Sequence, residues 1–127
     1  MKIKVQDRLP FVSVTIRQGD RSLILENVLL DTGSAGCIFS TDKLREAGIH
    51  PHSTARIRRI RGVGGEEAVV DTAVDEVSAG KLSLKDFTIE AGAVDYGFDI
   101  EGILGFDFLQ QTGAVIDLSA MEIRAAG

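Results

Sequence analysis

Val28-Leu29-Leu30-Asp31-Thr32-Gly33-Ser34-Ala35-Gly36 is the stretch around which the rest of the sequence is read. An apolar run of this kind reads as a buried strand, and here it ends on a carboxylate. Burying a carboxylate alone is costly, so Asp31 must be paired, protonated or open to a cleft. Thr32 brings a hydroxyl that can donate or accept. Gly33 lets a ligand or a second backbone approach closely. The stretch has the make-up of a catalytic carboxylate site. Asp-Thr-Gly is also good turn chemistry, so its meaning depends on the surrounding chain.

Upstream, Phe11-Val12-Ser13-Val14-Thr15-Ile16 alternates and is rich in β-branched residues, a strand that begins just past Pro10. Gln18-Gly19-Asp20 is a turn, and Arg21 to Leu30 is the return strand that delivers Asp31. Downstream, Cys37-Ile38-Phe39 reads as a short strand. Ser40 or Thr41 can cap a short helix over Asp42 to Ala47, with Gly48 as its stop. His50 to Ser53 is loop. Arg56 to Arg61, then Gly62-Val63-Gly64-Gly65, then Glu66 to Val70 reads as a hairpin with a glycine-rich tip, able to open and close.

Short strands are expected at Val74–Val77, Leu82–Leu84 and Phe87–Ile89, followed by an acidic, aromatic loop through Asp95, Tyr96, Phe98 and Asp99. Gly102-Ile103-Leu104-Gly105 is a buried strand end. A short helix carrying Phe106, Phe108 and Leu109 follows, then a last hairpin of Ala114–Leu118 and Met121–Arg124. Many short strands, frequent glycine turns and few helices predict an all-β barrel or sandwich.

The 127 residues fit one domain, expected over 1–127. A formal charge of −5 argues against a nucleic-acid binder. The single cysteine, Cys37, excludes an internal disulfide framework or a cysteine-based metal site, and reads as a buried small hydrophobe. The sequence shows no cationic-plus-apolar leader and no apolar run near the length of a membrane span, so a cytoplasmic protein without a membrane partner is expected.

Three segments together resemble the retropepsin-like aspartic proteases, single-domain relatives of pepsin. Leu29-Leu30-Asp31-Thr32-Gly33-Ser34 looks like that family's apolar-apolar-Asp-Thr-Gly motif. Arg61-Gly62-Val63-Gly64-Gly65 is similar to its flap tip. Ile103-Leu104-Gly105-Phe106-Asp107-Phe108-Leu109 looks like its apolar-apolar-Gly segment with the following helix. Asp-Thr-Gly alone is a weak signal, but three motifs in order from about Phe11 to Ile123 are strong.

The resemblance implies a closed β-barrel with a flap hairpin and one or two short helices. It implies that Asp31 is catalytic, that Thr32, Gly33 and Ser34 support it, and that Gly62, Val63, Gly64 and Gly65 close over the substrate. Leu104 and Gly105 are expected behind the site. Because the chain holds one Asp-Thr-Gly, a second copy must supply the other carboxyl, giving a homodimeric endopeptidase acting on a peptide or protein substrate. No metal or cofactor is implied. The last strand, around Met121 to Arg124, is expected in an interface sheet.

Other candidates have plainer readings. Asp107 lacks a following Thr-Gly and is expected to cap the helix or pair at the surface. Arg56, Arg58, Arg59 and Arg61 read as a solvated hairpin face rather than a site for acidic partners. His50 and His52 lack further ligands for a metal. A noncatalytic peptide-binding or assembly module that keeps the same fold is the alternative function.

Overall fold

The computed structural model describes residues 1–52, 57–62, 65–94 and 99–127, with backbone alone for 58–62 and 65–67. The described elements follow in chain order. They are β1 (Lys4–Gln6), β2 (Leu9–Gln18), β3 (Arg21–Leu30), β4 (Ile38–Ser40), α1 (Thr41–Glu46), β5 (Ile57–Gly62), β6 (Gly65–Ala79), β7 (Leu82–Gly92), β8 (Gly102–Leu104), α2 (Phe106–Thr112), β9 (Ala114–Asp117) and β10 (Glu122–Ala125).

Strands pair in the order β1-β2-β3-β8-β4-β7-β6-β5, and a further pairing of β2 with β6 closes the ring. Closure removes the free edges of β2, β3, β8, β4, β7 and β6. β1 and β5 hang on the outside. Alternation along β2 sends Val12, Val14 and Ile16 inward, where they meet Leu25, Val77, Ile89, Leu104 and Phe108 in the main core. Phe87 and Phe108 meet edge to face at 6.3 Å, anchoring α2 on β7. A second apolar cluster of Phe11, Ile38, Val94 and Ile100, flanked by Leu9 and Leu29, lies apart from the main core.

Several elements differ from the sequence reading for identifiable reasons. β2 begins at Leu9 and takes in Pro10, which stands opposite Val5 of β1 on an outer strand pair. β1 itself was not expected. It is made by a two-residue turn with φ 50° at Asp7 and 65° at Arg8, a conformation usually signalled by Asn or Gly. The expected separate strands over Glu66–Val70 and Val74–Val77 are one strand, β6, and Leu82–Leu84 and Phe87–Ile89 are likewise one strand, β7. Long mutual pairing from Val70–Ala91 to Ala79–Leu82 carries β6 through Asp71–Ala73 and β7 through Lys85–Asp86 without a break.

β10 pairs with β9 on one side. On the other it meets the N-terminal residues, where Ile3 N–H donates to Met121 O and Ile123 N–H to Met1 O. Its two neighbours therefore come from its own chain, not from an interface sheet as the sequence suggested. No helix of the described residues is long and apolar enough to cross a membrane.

Candidate active site

Asp31 follows directly on β3, where parallel pairing with β8 sets Val28, Leu29 and Leu30 opposite Gly102, Ile103 and Leu104. The ladder continues by one bond as Asp31 N–H donates to Leu104 O at 3.1 Å. Asp31 is half-buried. Its Oδ1 accepts the Gly33 N–H at 2.9 Å, while the Ser34 N–H donates to the Asp31 carbonyl at 3.3 Å. This is a tight turn in which an Asp side chain binds backbone two residues on. A Cβ on Gly33 would stand 3.2 Å from Asp31 Oδ1, so glycine is the residue that leaves the carboxyl undisturbed. Thr32 and Gly33 are exposed. The Ser34 hydroxyl donates to Gly36 O at 2.8 Å, bracing the far side of the loop.

The loop is gripped from behind by the start of α2. Phe106 N–H donates to Ser34 O at 2.7 Å and Asp107 N–H to Ala35 O at 3.3 Å. Two N–H groups that a helix start leaves without intrahelical partners are thereby satisfied by the loop. Gly105 allows this approach, and its own N–H donates to Cys37 Sγ at 3.3 Å. Gly102 is equally constrained, since a Cβ there would lie 2.4 Å from Phe39 Cδ1.

Cys37 is buried as expected, but it is more than a hydrophobe. Its thiol donates to Asp107 Oδ1 at 3.3 Å. Burial pushes the thiol far above its ordinary range; the Gly105 N–H opposes this and the Asp107 carboxylate adds to it. Cys37 is therefore a neutral donor and not a nucleophile. Asp107 holds this thiol and the Phe108 N–H, at 2.7 Å, with the same oxygen.

Gly62 and Gly65 face each other at the end of the β5–β6 pair. Val63 and Gly64, the expected flap tip, lie outside the described residues, as do Arg56, Asp95, Tyr96 and Phe98 and the side chains of Arg58, Arg59 and Arg61. Away from the loop, Gln18 clamps the backbone of His50 with both ends of its amide, and His50 and His52 line a surface cavity with Asp75 and Asp86. Among the described residues, no group of three His, Cys, Asp or Glu comes together to hold a metal ion.

A family model described as aspartyl protease matches residues 12–108, which run from within β2 to Phe108 of α2 and so include the whole Asp31 loop and its backing. The chain belongs to the aspartyl protease family. Among solved structures, this aspartyl protease family member is similar to "EIAV protease complexed with the inhibitor HBY-793", with a TM-score of 0.64 and 26% identity, covering 88% of this chain and 95% of that one. A retropepsin-like aspartic protease from Rickettsia conorii shares the fold with a TM-score of 0.65 at 17% identity, covering 95% of this chain and 93% of that one.

The retropepsin-like barrel is thus common to these structures and to this family member. One curated relative, the formamidopyrimidine-DNA glycosylase of Syntrophotalea carbinolica, is 34% identical over 84 residues, 63% of this chain and 31% of the glycosylase. The chain spans about a third of that relative's length.

Proposed function

We propose that this family member is an aspartic endopeptidase whose active site forms when two copies bring their Asp31 carboxyls together. One observation carries the reading. Asp31, half-buried at the end of β3, has its carboxyl held in a turn by the Gly33 N–H and is backed by Leu104 and the start of α2. The side chain is thereby fixed while staying partly open to solvent, and among the described residues no cation pairs with it. A single Asp-Thr-Gly in the sequence leaves the second carboxyl to another copy.

The chemistry follows from two carboxyls sharing one proton, since like charges in one site do not both ionise readily. The ionised Asp31 takes a proton from a water molecule as the oxygen attacks the peptide carbonyl. The protonated Asp31 of the other copy donates to the carbonyl oxygen. The tetrahedral intermediate then breaks its C–N bond, with a proton passing to the departing nitrogen, and no covalent enzyme intermediate forms. Thr32 is exposed beside the carboxyl and is the natural contact between the two loops.

Asp31→Asn keeps the size of the side chain and removes the ionisable group. Cleavage of a mixed peptide library is expected to fall by at least about a thousandfold in the folded variant. Equal cleavage by Asp31→Asn and the unaltered chain would overturn the proposal. A folded, unaltered chain that cleaves nothing would favour the noncatalytic module.

A further inference from the structure

The bulge in β3 is held from outside the strand pair by one side chain. Glu26 and Asn27 stand opposite the single residue Ser13 of β2, and both of their N–H groups donate to Glu101 Oε1, each at 3.0 Å. The other carboxylate oxygen of Glu101 lies 3.8 Å from Lys43 Nζ on α1. The Glu101 backbone is engaged as well. Its N–H donates to Asn27 O at 2.8 Å, and its carbonyl accepts from Ser40 N–H at 3.0 Å. Ser40 is the residue whose side chain caps α1. Bulge, helix start and the strand behind the site therefore meet at Glu101.

This junction fixes a register. β3 and β8 pair in parallel at Val28–Gly102, Leu29–Ile103 and Leu30–Leu104, a short ladder. A slip by one residue would carry Asp31 about 3.3 Å along and turn alternate side chains to the wrong face. At the inner end the register is marked by the Asp31 N–H on Leu104 O. At the outer end the bulge leaves an extra residue outside the ladder, so its N–H takes an acceptor from beyond β2. Glu101 supplies it.

We propose that Glu101 is a positioning residue for Asp31. By holding the two bulge N–H groups it locks β3 on β8 and sets where the Asp31 carboxyl stands. The catalytic consequence rests on the protease reading above; the register does not.

The test compares the full chain with Glu101→Gln, Glu101→Asp and Glu101→Ala, reading kcat and KM for peptide cleavage and amide hydrogen exchange at Glu26, Asn27 and Asp31. Gln keeps an acceptor oxygen at the same reach, and its kcat is expected within about threefold of the unaltered chain. Asp keeps the charge but falls a methylene short. For Asp and Ala, kcat is expected to drop about ten- to a hundredfold with KM shifted less than about threefold. Exchange at Asp31 should quicken along with that at Glu26 and Asn27.

Unchanged kcat and unchanged Asp31 exchange in Glu101→Asp or Glu101→Ala would overturn the proposal. So would equal losses in Glu101→Gln and Glu101→Ala, which would assign the effect to the charge facing Lys43. If Glu101→Ala does not fold, the Gln–Asp comparison decides the same question. If the unaltered chain cleaves no peptide, the protease reading fails, while Asp31 exchange still decides whether Glu101 positions it.

Discussion

Gly105 faces Gly36 so closely that a Cβ on Gly105 would stand 2.1 Å from the Gly36 carbonyl oxygen and 2.6 Å from its carbon. Those atoms are backbone, so no rotamer change can make room. The contact joins the α2 start to the loop that carries Asp31. It is the physical reason for a glycine at the end of the Gly102–Gly105 segment.

Gly105→Ala is therefore expected to lose about 1–3 kcal/mol of stability, the usual cost of overpacking, or to push the Asp31 loop outward. Urea unfolding measures the first and peptide cleavage the second. A variant with unchanged midpoint and unchanged activity would show that the loop can give way freely.

The Cys37 thiol offers a second test, with a definite sign. Its proton is bound more tightly in the folded state than in the unfolded chain, because burial disfavours the thiolate. The stabilising contribution is complete below the ordinary thiol value of 9.0 and is lost as pH rises above it. The slope is about 1.4 kcal/mol per pH unit while the folded thiol stays protonated. Unfolding between about pH 8 and 11 should show a steeper loss for the unaltered chain than for Cys37→Ala. Parallel curves would contradict the buried, neutral thiol.

Cleavage should follow a bell-shaped pH profile with an acidic optimum. A shared-proton pair is inactive when both carboxyls are protonated and again when both are ionised, and the two limbs belong to the pair rather than to either residue. Initial rates on one peptide across the acid and neutral range provide the check. A flat profile extending to alkaline pH would exclude the pair.

Much of this site could be read from residue order. The apolar run into Asp31-Thr32-Gly33 and the Gly102–Gly105 segment pointed to strand ends, and both are strand ends that lie side by side. The long strands β6 and β7 were legible only in pieces. Their continuity comes from pairing with each other, which a local pattern does not encode. β1 was hidden because its turn uses Asp7 and Arg8 where glycine or asparagine would have been the signal.

The roles of Glu101 at the bulge and of Asp107 on the Cys37 thiol escaped for a related reason. In each the carboxylate meets backbone or side-chain groups more than 65 positions away in sequence. The one local hint at Glu101 was an acidic residue placed directly before a buried glycine-flanked strand. Ser34 shows the converse, since its motif position suggested a brace on the carboxyl and its hydroxyl instead closes the loop at Gly36.

The most direct measurement uses two copies of the chain joined by a flexible linker, with Asp31→Asn in neither, one or both. A dyad built from two chains predicts that a single substitution abolishes peptide cleavage as completely as the double one. Retention of about half the activity in the singly substituted tandem would mean that each chain works alone, and would contradict the shared site.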